Sequence, residues 1–159
     1  MKRFNALWMA LLIALFAVFA LGSGDDSSND QGKGTAEKDE IGEYSLVIDS
    51  CRLAKDYEGK SVVIVKYIFT NNEDDDPASF YVTFDDEVYQ DGVSLNGAYF
   101  LDDSANYSSD NQTKEIKKGA SIEVEVAYEL NNTTSDIEVE VKELFSFDDT
   151  TITKKFSIT

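Results

Sequence analysis

The chain has 159 residues, 31 acidic against 14 basic for a net charge of −17, with no histidine and one cysteine. So acidic a balance lacks the basic footprint that nucleic-acid binding requires. The absence of histidine removes Ser-His-Asp and Cys-His catalysis from the chain, and a single cysteine removes any intramolecular disulfide.

The N-terminus carries an export signal. Lys2 and Arg3 precede an unbroken apolar run from Ala6 to Leu21, and the small residues Gly22, Ser23 and Gly24 follow. A membrane-spanning helix needs about 20 apolar residues. The shorter run favours a cleaved signal, with Val18-Phe19-Ala20 or Ala20-Leu21-Gly22 before the cut. Phe4 and Gly22 on its flanks, with Trp8 inside it, are enough to keep an uncleaved, tilted anchor open. Leu21-Gly22-Ser23 also resembles the bacterial lipoprotein box, but Gly24 stands where the lipid-accepting cysteine belongs, and Cys51 is too far downstream to replace it. Residues 1–23 are therefore read as signal peptide or membrane anchor. Residues 24–43, rich in Gly, Ser, Asp, Asn, Lys and Glu, form a disordered acidic linker. Residues 44–159 form the folded domain.

From Tyr44 the pattern is that of strands. Tyr44, Leu46, Ile48 and Leu53 mark one face, with a slip near Cys51. Cys51 sits among apolar residues and reads as a buried, inert thiol, with Arg52 pointing to the opposite face. Asp56, Glu58, Gly59 and Lys60 mark a turn. Val62 to Thr70 is β-branched and aromatic throughout, as expected of a central strand covered on both faces. Asn71 to Pro77 is a loop. Ser79 to Tyr89 alternates, with Phe80, Val82 and Phe84 on one face and Tyr81 and Thr83 on the other. Asp91-Gly92 is a turn. Asp102 to Lys114 is a polar excursion, and Lys117 to Gly119 another turn. Ile122, Val124, Val126, Tyr128 and Leu130 alternate with Glu123, Glu125 and Glu129, and Ile137 to Lys142 repeats the pattern. Thr151 to Ile158 closes the chain. About seven short strands without helical periodicity predict an all-β, antiparallel β-sandwich. Its outward glutamates oppose edge-to-edge aggregation, and lysines or water are expected between the Glu rows.

Several of these segments, in this order, are similar to a known family. They are Val65 to Asn72, Tyr89 to Leu95, Ile116 to Val124, Ala127 to Leu130, and Ile137 to Val141. The set resembles the DUF5067 domain of exported Gram-positive bacterial proteins, many of them lipoproteins, close to the DUF4352 group. The resemblance spans roughly Tyr44 to Thr159. It implies the immunoglobulin-like sandwich of the mycobacterial antigen MPT63 and export to the envelope. It implies no catalytic residues.

The acidic run Glu73-Asp74-Asp75-Asp76 is the sharpest candidate for an ion site. Calcium takes six to eight oxygens, and adjacent acids in an extended chain point in alternating directions. Asp85, Asp86, Glu87, Asp102, Asp103, Asp148 and Asp149 add ligands only where loops converge, and a solvated loop is the simpler reading. Paired carboxylates also permit glycoside hydrolysis in principle, although acids are too abundant for a pair to be informative. Tyr81, Phe84, Tyr89, Tyr99, Phe100 and Tyr107 are read mostly as core or cross-strand partners. Tyr99, Phe100 and Tyr107, beside the polar excursion, offer a contact patch for sugar or protein. No catalytic, metal or cofactor-binding residue is assigned and no cofactor is expected. The chain reads as a non-enzymatic, monomeric module, secreted or held at the outer face of the cell membrane, with a protein or envelope component as partner. It meets the membrane only through an uncleaved N-terminal segment. A calcium-stabilised adhesion-type domain and a small carboxylate-based hydrolase are the alternatives.

Overall fold

The computed structural model describes residues 39–73, 76–99, 101, 103–147 and 149–158. The signal or anchor, residues 1–23, and the linker up to residue 38 lie outside them. Among the described residues no helix is long and apolar enough to cross a membrane.

Eight strands are described: β1 (Asp39–Ile41), β2 (Tyr44–Lys55), β3 (Ser61–Asn71), β4 (Phe84–Gln90), β5 (Val93–Ser94), β6 (Ser121–Glu129), β7 (Ile137–Glu143) and β8 (Thr151–Phe156). They form two four-stranded antiparallel sheets, ordered β1-β2-β3-β6 and β5-β4-β7-β8. This is the all-β sandwich anticipated from the strand pattern. The first strand, Asp39–Ile41, begins within the stretch read as linker. Its Ile41 is buried against the core, a single apolar residue that gives too little periodicity to announce a strand.

Side-chain alternation explains the core. Val63, Val65, Tyr67 and Phe69 of β3 and Val124 and Tyr128 of β6 face Phe84 and Val88 of β4 and Val139 and Val141 of β7. β2 enters this face with Leu46 and Ile48, breaks register between Ile48 and Ser50, and resumes with Cys51 opposite Val65. The bulge is the slip visible in the sequence. Leu53, read as inward, lies half-exposed at the end of the face. Burial pushes the Cys51 thiol up, against the pull of Lys154, and Arg52 does point to the opposite face.

The stretch read as one strand from Ser79 to Tyr89 is corrected by the structure. A helical turn, α1 (Phe80–Thr83), precedes β4. Phe80, Thr83 and Phe84 are buried, while Tyr81 and Val82 are exposed. That i, i+3, i+4 pattern belongs to a helix, and four residues are too few to separate it from alternation. The turn drives Phe80 into an aromatic cluster, 5.0 Å from Tyr67 and 5.5 Å from Phe84 between ring centres. Phe69 meets Phe84 edge-on at 5.5 Å.

Turns follow their chemistry. Asp91 (φ 52°) and Gly92 (φ 76°) close the β4–β5 hairpin in the paired left-handed geometry that such two-residue turns need. Gln90 is buried at the β4 end. Its amide nitrogen donates to the carbonyls of Asn132 and Ser135, and its oxygen accepts from the N–H groups of Asn131 and Asn132. One side chain thus satisfies the β6–β7 turn.

The glutamate rows are interleaved with cations, as expected. Arg52 pairs with Glu125 at 3.0 Å, Lys66 with Asp49 at 3.1 Å and Glu123 at 3.5 Å, and Lys155 with Glu138 at 3.2 Å. Glu87 and Glu140, however, stand directly opposite each other on β4 and β7.

Phe69→Ala is expected to cost about 3–5 kcal/mol by urea unfolding, because the cavity opens inside the aromatic cluster. Phe145→Ala, at a residue 84% exposed, should stay within about 0.5 kcal/mol of wild type.

Candidate functional site

The site arises from how the outer face of β3 is covered. Val62 and Ile64 point away from the sandwich core, yet are fully buried beneath Ala98, Ala105 and Tyr107. The excursion that supplies this cover leaves β5, crosses from one sheet to the other, and is fastened to β6. Leu95 N–H donates to Val88 O on β4 (2.7 Å). Ala98 N–H then donates to Ala127 O, and Glu129 N–H to Asn96 O (both 2.8 Å). Further along, Asn111 and Gln112 side-chain amides donate to the carbonyls of Glu123 and Glu125. Arg52 donates to the carbonyls of Ala105 and Asn106.

Between the edges of the two sheets, under this bridge, lies a cleft of about 580 Å³. Its size falls in the range of small-molecule sites, about 300–1,000 Å³. Phe80, Val126 and Tyr128 line the interior, Asp86 the floor, and Tyr81 and Tyr99 the mouth. Both mouth tyrosines are largely exposed. Tyr99 folds back over Gly97, where a Cβ would meet its hydroxyl oxygen at 3.0 Å. Gly97 thereby leaves the space that lets the ring lie against the backbone.

The floor is chemically unusual. Asp86 lies between Phe84 and Val88 on the inward face of β4, a position where alternation calls for an apolar residue. Its carboxylate accepts a hydrogen bond from the Tyr128 hydroxyl. The Tyr67 hydroxyl is completely buried and faces the same two groups, close enough to act on their charge but without a well-formed hydrogen bond among the described residues. Burial raises Asp86 above the usual carboxylate range, and the Tyr128 and Tyr67 hydroxyls only partly offset it. The same burial pushes both phenols well above theirs. No lysine or arginine is among the cleft's described lining residues.

Other candidates from the sequence fall elsewhere. Asp74, Asp75, Phe100, Asp102 and Asp148 lie outside the described residues. Of the acidic run, Glu73 accepts the Tyr44 hydroxyl at 2.7 Å, and Asn71 closes the loop through Glu73 N–H and Asp76 O. Burial and this contact push Tyr44 up to about 12. No three acidic, cysteine or histidine side chains gather to hold a metal ion among the described residues. Asp85 and Glu87 alternate away from Asp86 along β4, so the three consecutive acids do not form a facing pair. Tyr89 is engaged by Glu87. Tyr107 packs beneath the excursion, hydrogen-bonded by Gln112 at 3.1 Å. Of the aromatic residues singled out in the sequence, Tyr81, Phe84, Tyr99 and Tyr107 converge on the cleft. Asp86, Tyr128 and Tyr67 were not distinguishable from other acids and core tyrosines.

A family model described as a domain of unknown function, DUF5067, matches residues 23–143. The chain belongs to the DUF5067 family. No curated protein matches it. Two solved structures share the fold. One, from Staphylococcus aureus subsp. aureus NCTC 8325, is described as a candidate lipoprotein; it is 20% identical with a TM-score of 0.56, covering 78% of this chain and 94% of that one. The other, an NMR structure of a protein from Enterococcus faecalis, is 22% identical with a TM-score of 0.56, covering 77% of this chain and 90% of that one.

The buried carboxylate sets a pH prediction for this DUF5067 domain. Asp86 is raised in the fold, so its ionised form weakens the native state above that raised value, and the penalty fades as pH falls through it. Asp86→Asn should therefore raise Tm at pH 7.5 by about 4 °C, the equivalent of about 1 kcal/mol at this size. The difference should vanish near pH 3. Calorimetry across pH checks both limbs.

Proposed function

We propose that this DUF5067 domain is an exported, non-enzymatic binding module on the extracytoplasmic side of its cell, and that the cleft between β4 and β6 is where it binds. The observation that carries this reading is an open cleft with exposed tyrosines at its mouth and a polar floor within a sandwich edge. Exposed aromatic rings beside polar groups are suited to holding a sugar or peptide face. The basic–apolar–small N-terminal sequence supports export, by secretion or by retention at the outer face of the membrane. So does the likeness to a staphylococcal protein described as a candidate lipoprotein. The partner in this reading is a protein or envelope component met by a monomer. We also read the sandwich as immunoglobulin-like and kin to the DUF4352 group and the antigen MPT63, on its two-sheet arrangement.

Thermal denaturation of the protein against a panel of cell-wall oligosaccharides and peptides tests the reading. Tyr99→Ala should leave the unliganded Tm unchanged, since the ring is 83% exposed. It should weaken any ligand that stabilises the wild type by about tenfold or more. Turnover of a panel compound, or binding indifferent to Tyr99→Ala and Tyr81→Ala, would overturn it.

A further inference from the structure

Asp86 lines the cleft on the core-facing side of β4, largely withdrawn from water, with only neutral hydrogen-bond donors, the Tyr128 hydroxyl foremost, and no cationic partner among the described residues. The domain does not lack cations for such a pairing. Arg52, Lys60, Lys66 and Lys155 are all placed on other acids, and Lys154 reaches the carbonyls of Ile48 and Asp49. A carboxylate removed from water without a counter-charge is costly. A leucine or valine there would match its neighbours Phe84 and Val88, both buried in the core. The carboxylate is paired with a tyrosine hydroxyl, and the buried Tyr67 hydroxyl beside them lacks a partner of its own. Asp86 and Tyr128 thus line the cleft, with the Tyr67 hydroxyl buried behind them, and the hydrogen-bonding capacity of the group is incompletely used.

The surroundings select the charge of what binds. Asp85 and Glu87 border the cleft although their side chains alternate away from Asp86, and no basic side chain lines it among the described residues, so an anion is repelled. Tyrosine and phenylalanine rings form much of the wall, and aromatic faces attract an organic cation within about 6 Å. We propose that the cleft receives a protonated amino group, with the Asp86 carboxylate as its counter-charge and the rings of Tyr128, Tyr99 and Tyr81 around it. This rests on the cleft being the binding site. It names the ligand class: a compact polar molecule bearing a primary ammonium, whether amino sugar or amino acid. The carboxylate disfavoured in the empty protein is compensated in the occupied one, which is a reason to keep it.

Chemical-shift titration of the isotope-labelled protein in 0.15 M salt tests this, with glucosamine and lysine amide as amine probes and N-acetylglucosamine and Nε-acetyl-lysine amide as their neutral counterparts. The amine probes should shift the amides of Asp86 and Val126 to Tyr128, with affinity at least tenfold above the acetylated forms. The tighter of the two amines identifies the source. Asp86→Asn should lose that preference. Glu138→Gln, which removes the same charge from the outer face of β7, should keep it. Equal binding of amine and acetylated probes at the cleft would overturn the amine assignment and leave the cleft as a binding site. An unchanged preference in Asp86→Asn, or an equal loss in Glu138→Gln, would also overturn it. If no probe shifts the cleft amides, the amine assignment and the cleft reading fall together. The amine–acetyl comparison in wild type stands whether or not the variants fold.

Discussion

The structure turns on one strand that is apolar on both faces. β3 buries Val63, Val65, Tyr67 and Phe69 into the sandwich and Val62 and Ile64 on the other side. A two-sheet sandwich covers only one face of each sheet, so the second face of β3 needs another cover. The excursion between β5 and β6 supplies it with Ala98, Ala105 and Tyr107. To reach that face it must cross from the β4 edge to the β6 edge. The crossing roofs the gap between the sheets and sets Tyr99 at its mouth. The cleft is thus a by-product of covering a strand, and the polar residues beneath it are what our proposal reads as a binding site.

Those polar residues run against the logic of the core. Elsewhere among the described residues buried polar side chains are satisfied: Gln90 makes four hydrogen bonds to one turn, and Asn71 bonds Asp76, Ile116 and Glu73. These amides anchor loops and carry no charge. Asp86, Tyr128 and Tyr67 differ, because an ionisable carboxyl is held largely out of water with no cation beside it and the neighbouring Tyr67 hydroxyl makes no well-formed hydrogen bond. Local breaches of consistency of this kind concentrate at functional sites.

The strands were legible where the period was long and clean. Ile122 to Leu130 and Ile137 to Lys142 alternate without interruption, and β3 reads as doubly buried from composition alone. The Asp91-Gly92 turn and the Asn71 loop carried their own chemistry. Three features were not legible. β1 contributes one buried residue, Ile41, from an acidic stretch. The Phe80–Thr83 turn is too short for its helical period to separate from alternation. Asp86 is one acid among many, and its place on the inward face of β4 follows from a phase set only once the strand begins at Phe84. The tyrosines at the mouth were visible as a patch. Their convergence on Asp86 depends on the pairing of distant edges, which single-sequence patterns do not encode.

Native-state hydrogen exchange tests the central link, that the excursion is fastened across the edge of β6 and roofs the cleft. The amides of Ala98 and Glu129, donors to Ala127 and Asn96 across that edge, should be protected to nearly the same degree as those of Tyr67 and Phe69 in β3. Exchange of Ala98 and Glu129 at the rate of exposed loop amides, with β3 still protected, would contradict it.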